Sequence, residues 1–113
     1  MPDKFNRSHI RGVKMEFDHI ALNVKNIHTS VQWYRENTGA TVEYEDDTWA
    51  MLKIGGTKIA LTLAGQHPPH VAFRVSSISD FPDGCEVKQH RDGSWYYYDV
   101  DDSGNVIEWI KYD

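Results

Sequence analysis

The feature that most constrains this chain is a repeat. Residues 19–24 read HIALNV and residues 70–75 read HVAFRV. Each runs histidine, β-branched residue, alanine, apolar residue, free position, valine. A period near 50 residues marks two copies of one supersecondary unit. A copy this small cannot bury a sheet face alone, so the two must pack together or pair with copies from another chain.

In the first copy residues 16–24 alternate. Ile20, Leu22 and Val24 share one face, and Phe17, His19, Ala21 and Asn23 share the other. NIHTSVQWYRENTG predicts a helix capped by Asn26, with Ile27, Val31, Tyr34 and Thr38 at helical spacing and Gly39 at its stop. Strands are predicted at 40–45 and in TWAMLKI, with a turn at Asp46-Asp47 between them. Gly55-Gly56 then turn the chain into TKIALTLA. The second copy starts with PHVAFRV. SSISDFPDG replaces the helix and is too short for more than about a turn or two. CEVKQHR, SWYYYDV and NVIEWIKY read as three more strands. The expected fold is α+β: two βαβββ modules, about 16–66 and 67–113, within one domain at 16–113, the second with a reduced helix. Residues 1–15 form an N-terminal extension.

Composition narrows the partners. The 113 residues suit one domain with an ordinary core, at 40% apolar and 26% charged. The net charge of −5, from 12 basic and 17 acidic residues, argues against a nucleic-acid footprint. Lys4, Arg7, Arg11 and Lys14 lie together in the N-terminal arm, which reads as a solvated extension. No apolar run approaches the ~20 residues that span a bilayer, and the N-terminus lacks the apolar core of a signal peptide. The single cysteine, Cys85, excludes an intrachain disulfide framework and reads as an ordinary thiol near a strand start. A cytoplasmic location is expected.

The duplication gives the histidines meaning. A pseudo-twofold axis brings equivalent strand positions face to face, so His19 and His70 should converge. Neutral imidazoles are the commonest protein metal ligands. Glu108 is the one charged residue in VIEWI, a costly placement unless paired or metal-bound. Its alternative is an edge-strand charge facing water. Aligning WAMLKI-GGTKIALTL with WYYYDV-DDSGNVIEWI sets Glu108 against Ala60, so the first copy lacks the matching carboxylate. Two histidines and one carboxylate with open positions suit one divalent ion, of Fe, Mn, Zn, Ni or Co.

FDHIALNVKNIHTSVQWYRENTG and YYYDVDDSGNVIEWI resemble the opening strand and helix, and the closing hairpin, of the vicinal oxygen chelate superfamily. Its relatives include glyoxalases, bleomycin-resistance proteins and extradiol dioxygenases. The resemblance covers residues 16–112 and implies paired modules curling into a cupped mixed sheet around a metal. Carried over position by position, the family's ligands fall on His19, His70 and Glu108. Asp102 stands where a proline is common. Glyoxalase I and methylmalonyl-CoA epimerase relatives take a further ligand where this chain has Ala60. Fosfomycin-resistance relatives place three ligands as here, but Ala21 replaces their threonine and the chain ends at Asp113 before their basic segment, so no phosphonate clamp is expected. Extradiol relatives space a histidine, a tyrosine and the glutamate much as His90, Tyr98 and Glu108 are spaced, though Tyr97 fills a usually aliphatic place. On that likeness His90 would move a proton and Tyr98 would hydrogen-bond a developing intermediate.

Three look-alikes fail. Asp99, Asp101, Ser103 and Gly104 begin like a calcium loop, but Ile110 takes the place of the closing glutamate and strands flank it. His67 lies outside the strand repeat and is not expected to bind metal; His9 and His28 should face solvent. The four tryptophans read as core or pocket wall. The expected protein is a homodimeric, metal-dependent enzyme of the dioxygenase or lyase kind, acting on a small molecule that chelates the metal through vicinal oxygens. The dimer leaves open an exchange of modules, in which each site uses both chains. The alternative is a metal-free protein that sequesters a small molecule.

Overall fold

A computed structural model describes residues 15–82 and 84–112. Residues 1–14 of the N-terminal extension, with His9 and the basic residues, lie outside the described residues. β1 (Glu16–Val24) leads into α1 (Ile27–Thr38), then β2 (Thr41–Glu45), β3 (Trp49–Ile54) and β4 (Thr57–Leu63). The second module runs β5 (His70–Arg74), a single 3-10 turn (Ile78–Asp80), β6 (Lys88–Gln89), β7 (Trp95–Val100) and β8 (Val106–Lys111).

All eight strands form one mixed, cupped sheet in the order β2-β3-β4-β1-β5-β8-β7-β6. The order reads the same from both edges inward, first strand innermost, as two copies related by a twofold axis require. The axis passes between β1 and β5, which pair antiparallel, while β1 with β4 and β5 with β8 are parallel. No helix among the described residues is long and apolar enough to cross a membrane.

α1 starts where Asn26 accepts a hydrogen bond from the Thr29 backbone N–H and stops at Gly39, whose φ of 73° is costly for any residue with a Cβ. Its buried residues, Ile27 and Val31, pack with Ala50, Leu52 and Leu61 into the main core on the convex side of the first module. That core packs against Leu22 and Val24 of β1. Among the described residues of the second module no α-helix covers the equivalent face. Ser77 caps the short 3-10 turn, and Val75 and Phe81 on either side of it are buried. His28 is exposed, as expected, yet its ring bonds both Glu45 and Asp47 and ties the first turn of α1 to the end of β2.

Two expectations need correction. The strand expected over CEVKQHR shrinks to Lys88–Gln89, because the chain is still turning at Cys85, whose N–H donates to the Pro82 carbonyl. And Phe17 does not share a face with His19. The register of β1 on β5 shifts between Phe17 and His19, a β-bulge with Asp18 as the extra residue. Phe17 therefore turns to the convex side, edge-on to Phe73 at 6.4 Å.

Candidate metal centre

The shared His-x-Ala pattern explains how two imidazoles fit at the middle of the sheet. His19 lies opposite Ala72 and His70 opposite Ala21. Each alanine clears the space that the other copy's ring enters, and the ring centroids meet at 5.4 Å. Glu108 lies beside Ala72 on β8 and opposite Tyr98 on β7, so its carboxylate reaches the same spot. One ligand atom from each of His19, His70 and Glu108 lies within 4.8 Å of the others. The three residues are 6%, 7% and 2% exposed, so water cannot solvate them freely. All three are brought together within this one chain.

The partners assign the ring tautomers. His70 Nδ1–H donates to the Pro68 carbonyl at 2.8 Å, and His19 Nδ1–H donates to Asp18 Oδ2 at 2.7 Å. Both acceptors lack a proton to give back, so in the neutral ring each Nε2 carries a lone pair. Those lone pairs face Glu108 Oε1, at 3.6 Å from His19 and 3.2 Å from His70. The closer contact is misdirected for a hydrogen bond, which leaves His70 Nε2 buried with no partner. Three acceptors converging without a donor are unfavourable in a buried site. A cation resolves them, so the donor set fits a divalent metal.

Titration follows the same charges. Burial pushes the Glu108 carboxyl up, but the close approach of His70, the hydrogen bond to His90 and the attraction of protonated His70 and His19 outweigh it and hold the group down at about 2. Burial lowers His70, while attraction to Glu108 and the bond to Pro68 lift it above its ordinary value. Asp18 is pushed up by burial and pulled below the usual carboxylate range by its bonds to His19 and Tyr112.

The ligand trio sits in a cleft of about 940 Å³. Ala60 lines it from the first module and offers no ligand atom. One wall is aromatic: Tyr44 stacks on Trp49 at 4.6 Å, and Asp46 holds that turn through the Thr48 and Trp49 N–H groups. The other tryptophans lie elsewhere, Trp33 exposed on α1, and Trp95 and Trp109 half-buried on the second module.

His90 and Tyr98 both enter the cleft. His90 Nε2 lies 2.8 Å from Glu108 Oε2, on the carboxylate oxygen away from the other two histidines. Its ring lies flat on Tyr96 at 3.7 Å, and its backbone N–H closes the β6–β7 turn on Ser94. Burial holds the Tyr98 phenol protonated well above its usual range, and its hydroxyl lies 3.1 Å from His67 Nδ1. His67 is therefore a cleft residue, which its place outside the repeat did not suggest. The signal that reaches it is tertiary: Asn23 Nδ2 donates to the His67 carbonyl and to Thr62 Oγ1, pinning the loop onto the first module.

A cupped sheet of two βαβββ modules with two central-strand histidines and a last-strand glutamate defines a glyoxalase-like protein of the vicinal oxygen chelate kind. The family model described as Glyoxalase/Bleomycin resistance protein/Dioxygenase superfamily matches residues 16–113, and the chain belongs to that superfamily. Among curated proteins it is similar to the metallothiol transferases FosB of Staphylococcus epidermidis and Staphylococcus haemolyticus. Each is 29% identical over 99 residues, covering 80% of this chain. The chain spans 63% of the length of those relatives. Among solved structures it is similar to the hypothetical protein BH1468 from Bacillus halodurans C-125. The TM-score is 0.71 at 20% identity, over 88% of this chain and 96% of that one. Methylmalonyl-CoA epimerase from Mycobacterium tuberculosis gives 0.65 at 18% identity, over 86% and 87%. At such identities the solved structures speak to the fold alone.

Proposed function

We propose that this chain is a divalent-metal-dependent enzyme whose small-molecule substrate binds the metal through vicinal oxygens. The carrying observation is the convergence of the His19 and His70 Nε2 lone pairs on Glu108 Oε1 in a buried pocket with no donor among them. One divalent ion per site, of Fe, Mn, Zn, Ni or Co, fits that set. When bound it supplies Lewis-acid polarisation of the chelating oxygens.

The chain's own residues supply the rest. Ala60 leaves the last strand of the first module without a base beside the ligand trio, and we assign proton movement to His90, braced by Tyr96 and aimed at the ligand carboxylate. Tyr98 stays protonated and, with His67, forms a polar wall where a substrate oxygen can be held. The Tyr44–Trp49 stack supplies an apolar wall for the substrate body. This supports chemistry in the dioxygenase or lyase range. Similarity to the metallothiol transferases favours a second reading, transfer to a thiol acceptor at the same centre.

The first test is metal content. The protein purified without chelator should hold about one of these ions per chain. A protein that takes up none belongs with the sequestering alternative. Activity separates the reaction classes: oxygen uptake with a catechol panel, turnover of a 2-oxo thioester or hemithioacetal, or consumption of a thiol with an electrophile. His90→Ala should keep the metal and lose turnover by about 10²–10⁴-fold; unchanged turnover removes His90 from the mechanism. We also propose a homodimer, since the convex face around Phe17 and Ile78 stays exposed where the second helix is missing. Light scattering that gives 13.1 kDa at micromolar concentration refutes it.

A further inference from the structure

We propose that Asp18 and Tyr112 are positioning residues that act on the metal centre through His19 and set its affinity; this rests on the metal-dependent reading above. In a regular strand, neighbouring side chains point to opposite faces, so Asp18 would point away from its neighbour His19. The bulge between Phe17 and His19 cancels that alternation and brings the Asp18 carboxylate under the histidine ring. Asp18 is 8% exposed. A buried carboxylate is costly unless it is bonded, and Asp18 Oδ2 accepts from His19 Nδ1–H at 2.7 Å and from the Tyr112 hydroxyl at 2.7 Å. Arg74 contributes only a longer contact, 3.8 Å from Oδ1 on a side chain 43% exposed, a geometry that is weak in water. Tyr112 lies four residues after Glu108, one beyond the end of β8. The strand that delivers the carboxylate ligand thus also delivers the hydroxyl that holds the carboxylate behind the first histidine.

The two histidine ligands are therefore unequal. His70 rests on a neutral carbonyl, Pro68 O, and His19 on a charged carboxylate. A carboxylate at Nδ1 fixes the ring's orientation and tautomer and strengthens Nε2 as a donor. Losing such a partner elsewhere costs about 10- to 100-fold in metal affinity.

Co(II) serves as the probe, with affinity measured by absorbance titration and by competition with Zn(II). Asp18→Ala should weaken binding by about 10- to 100-fold, and Asp18→Asn, whose amide oxygen still accepts from Nδ1–H, by less. Tyr112→Phe removes one hydroxyl at a strand end and should fall between wild type and Asp18→Ala, which keeps the test open if Asp18→Ala folds poorly. In the proton spectrum of the Co(II) protein, two shifted, exchangeable imidazole N–H signals are expected. Asp18→Ala should lose the His19 signal to solvent exchange and retain the His70 signal bonded to Pro68. Equal affinity in folded Asp18→Asn and Tyr112→Phe, with both signals intact, overturns the proposal and leaves the metal reading standing. If the wild type takes up no Co(II), the metal reading itself fails.

Discussion

Glu108→Gln keeps the shape of the side chain and removes its charge. In the wild type that carboxylate lies 3.2 Å from His70 Nε2 and 3.6 Å from His19 Nε2. Full metal binding at a four-ligand structural zinc site is worth about 10–16 kcal/mol, so weakening one ligand costs on the order of 3 kcal/mol, or about 10²-fold in Kd. At a metal concentration one hundred times the wild-type Kd, binding stabilises the fold by about 2.7 kcal/mol. For a domain of this size that raises Tm by about 10 °C. The same concentration then only equals the variant's Kd, and the stabilisation falls to about 0.4 kcal/mol, a shift under about 2 °C. The assay is differential scanning calorimetry of each protein with chelator and with Zn(II) or Mn(II). Each variant is referred to its own metal-free Tm, which removes the effect of losing the charge in the metal-free fold. Equal metal-induced shifts in wild type and Glu108→Gln would refute the assignment of Glu108 as a ligand.

Metal affinity should fall as pH falls toward the histidine range. Glu108, held at about 2, stays ionised throughout, whereas His70, raised above its ordinary value, takes up a proton that competes with the ion; calorimetric titrations in buffers of different ionisation enthalpy should register the released proton. The metal-free fold should show the opposite sign, because a raised His70 contributes stability that is present below the unfolded value near 6.5 and lost as pH rises through the folded one. His28, raised first by Asp47 and then by Glu45, should titrate above 6.5 in a histidine NMR series, and Asp47→Asn should bring it down. Leu61→Ala, at a fully buried core position under α1, should cost about 2–5 kcal/mol in urea denaturation without changing the metal stoichiometry.

Local chemistry wrote much of this molecule into its sequence. Alternation marked the strands, Asn26 and Gly39 marked the ends of α1, and the repeat of His-x-Ala marked the two strands that meet at the axis. Glu108 stood out because a lone charge in an apolar run needs a partner. Those signals are legible because each depends on residues close together in the chain, or on a duplication that maps one copy onto the other. What only the tertiary structure decided depends on pairing between distant segments. The bulge at Asp18 belongs to the register of β1 on β5, which neither strand specifies alone, and it reassigns Phe17 to the convex side and Asp18 to the site. His67 reaches the cleft because Asn23 on β1 captures its carbonyl. The Tyr98 hydroxyl finds His67 only once that loop is in place. Alternation along one strand tells which way a side chain points, but a bulge or a docked loop is set by the free energy of two surfaces fitting together, and no single stretch of sequence contains both.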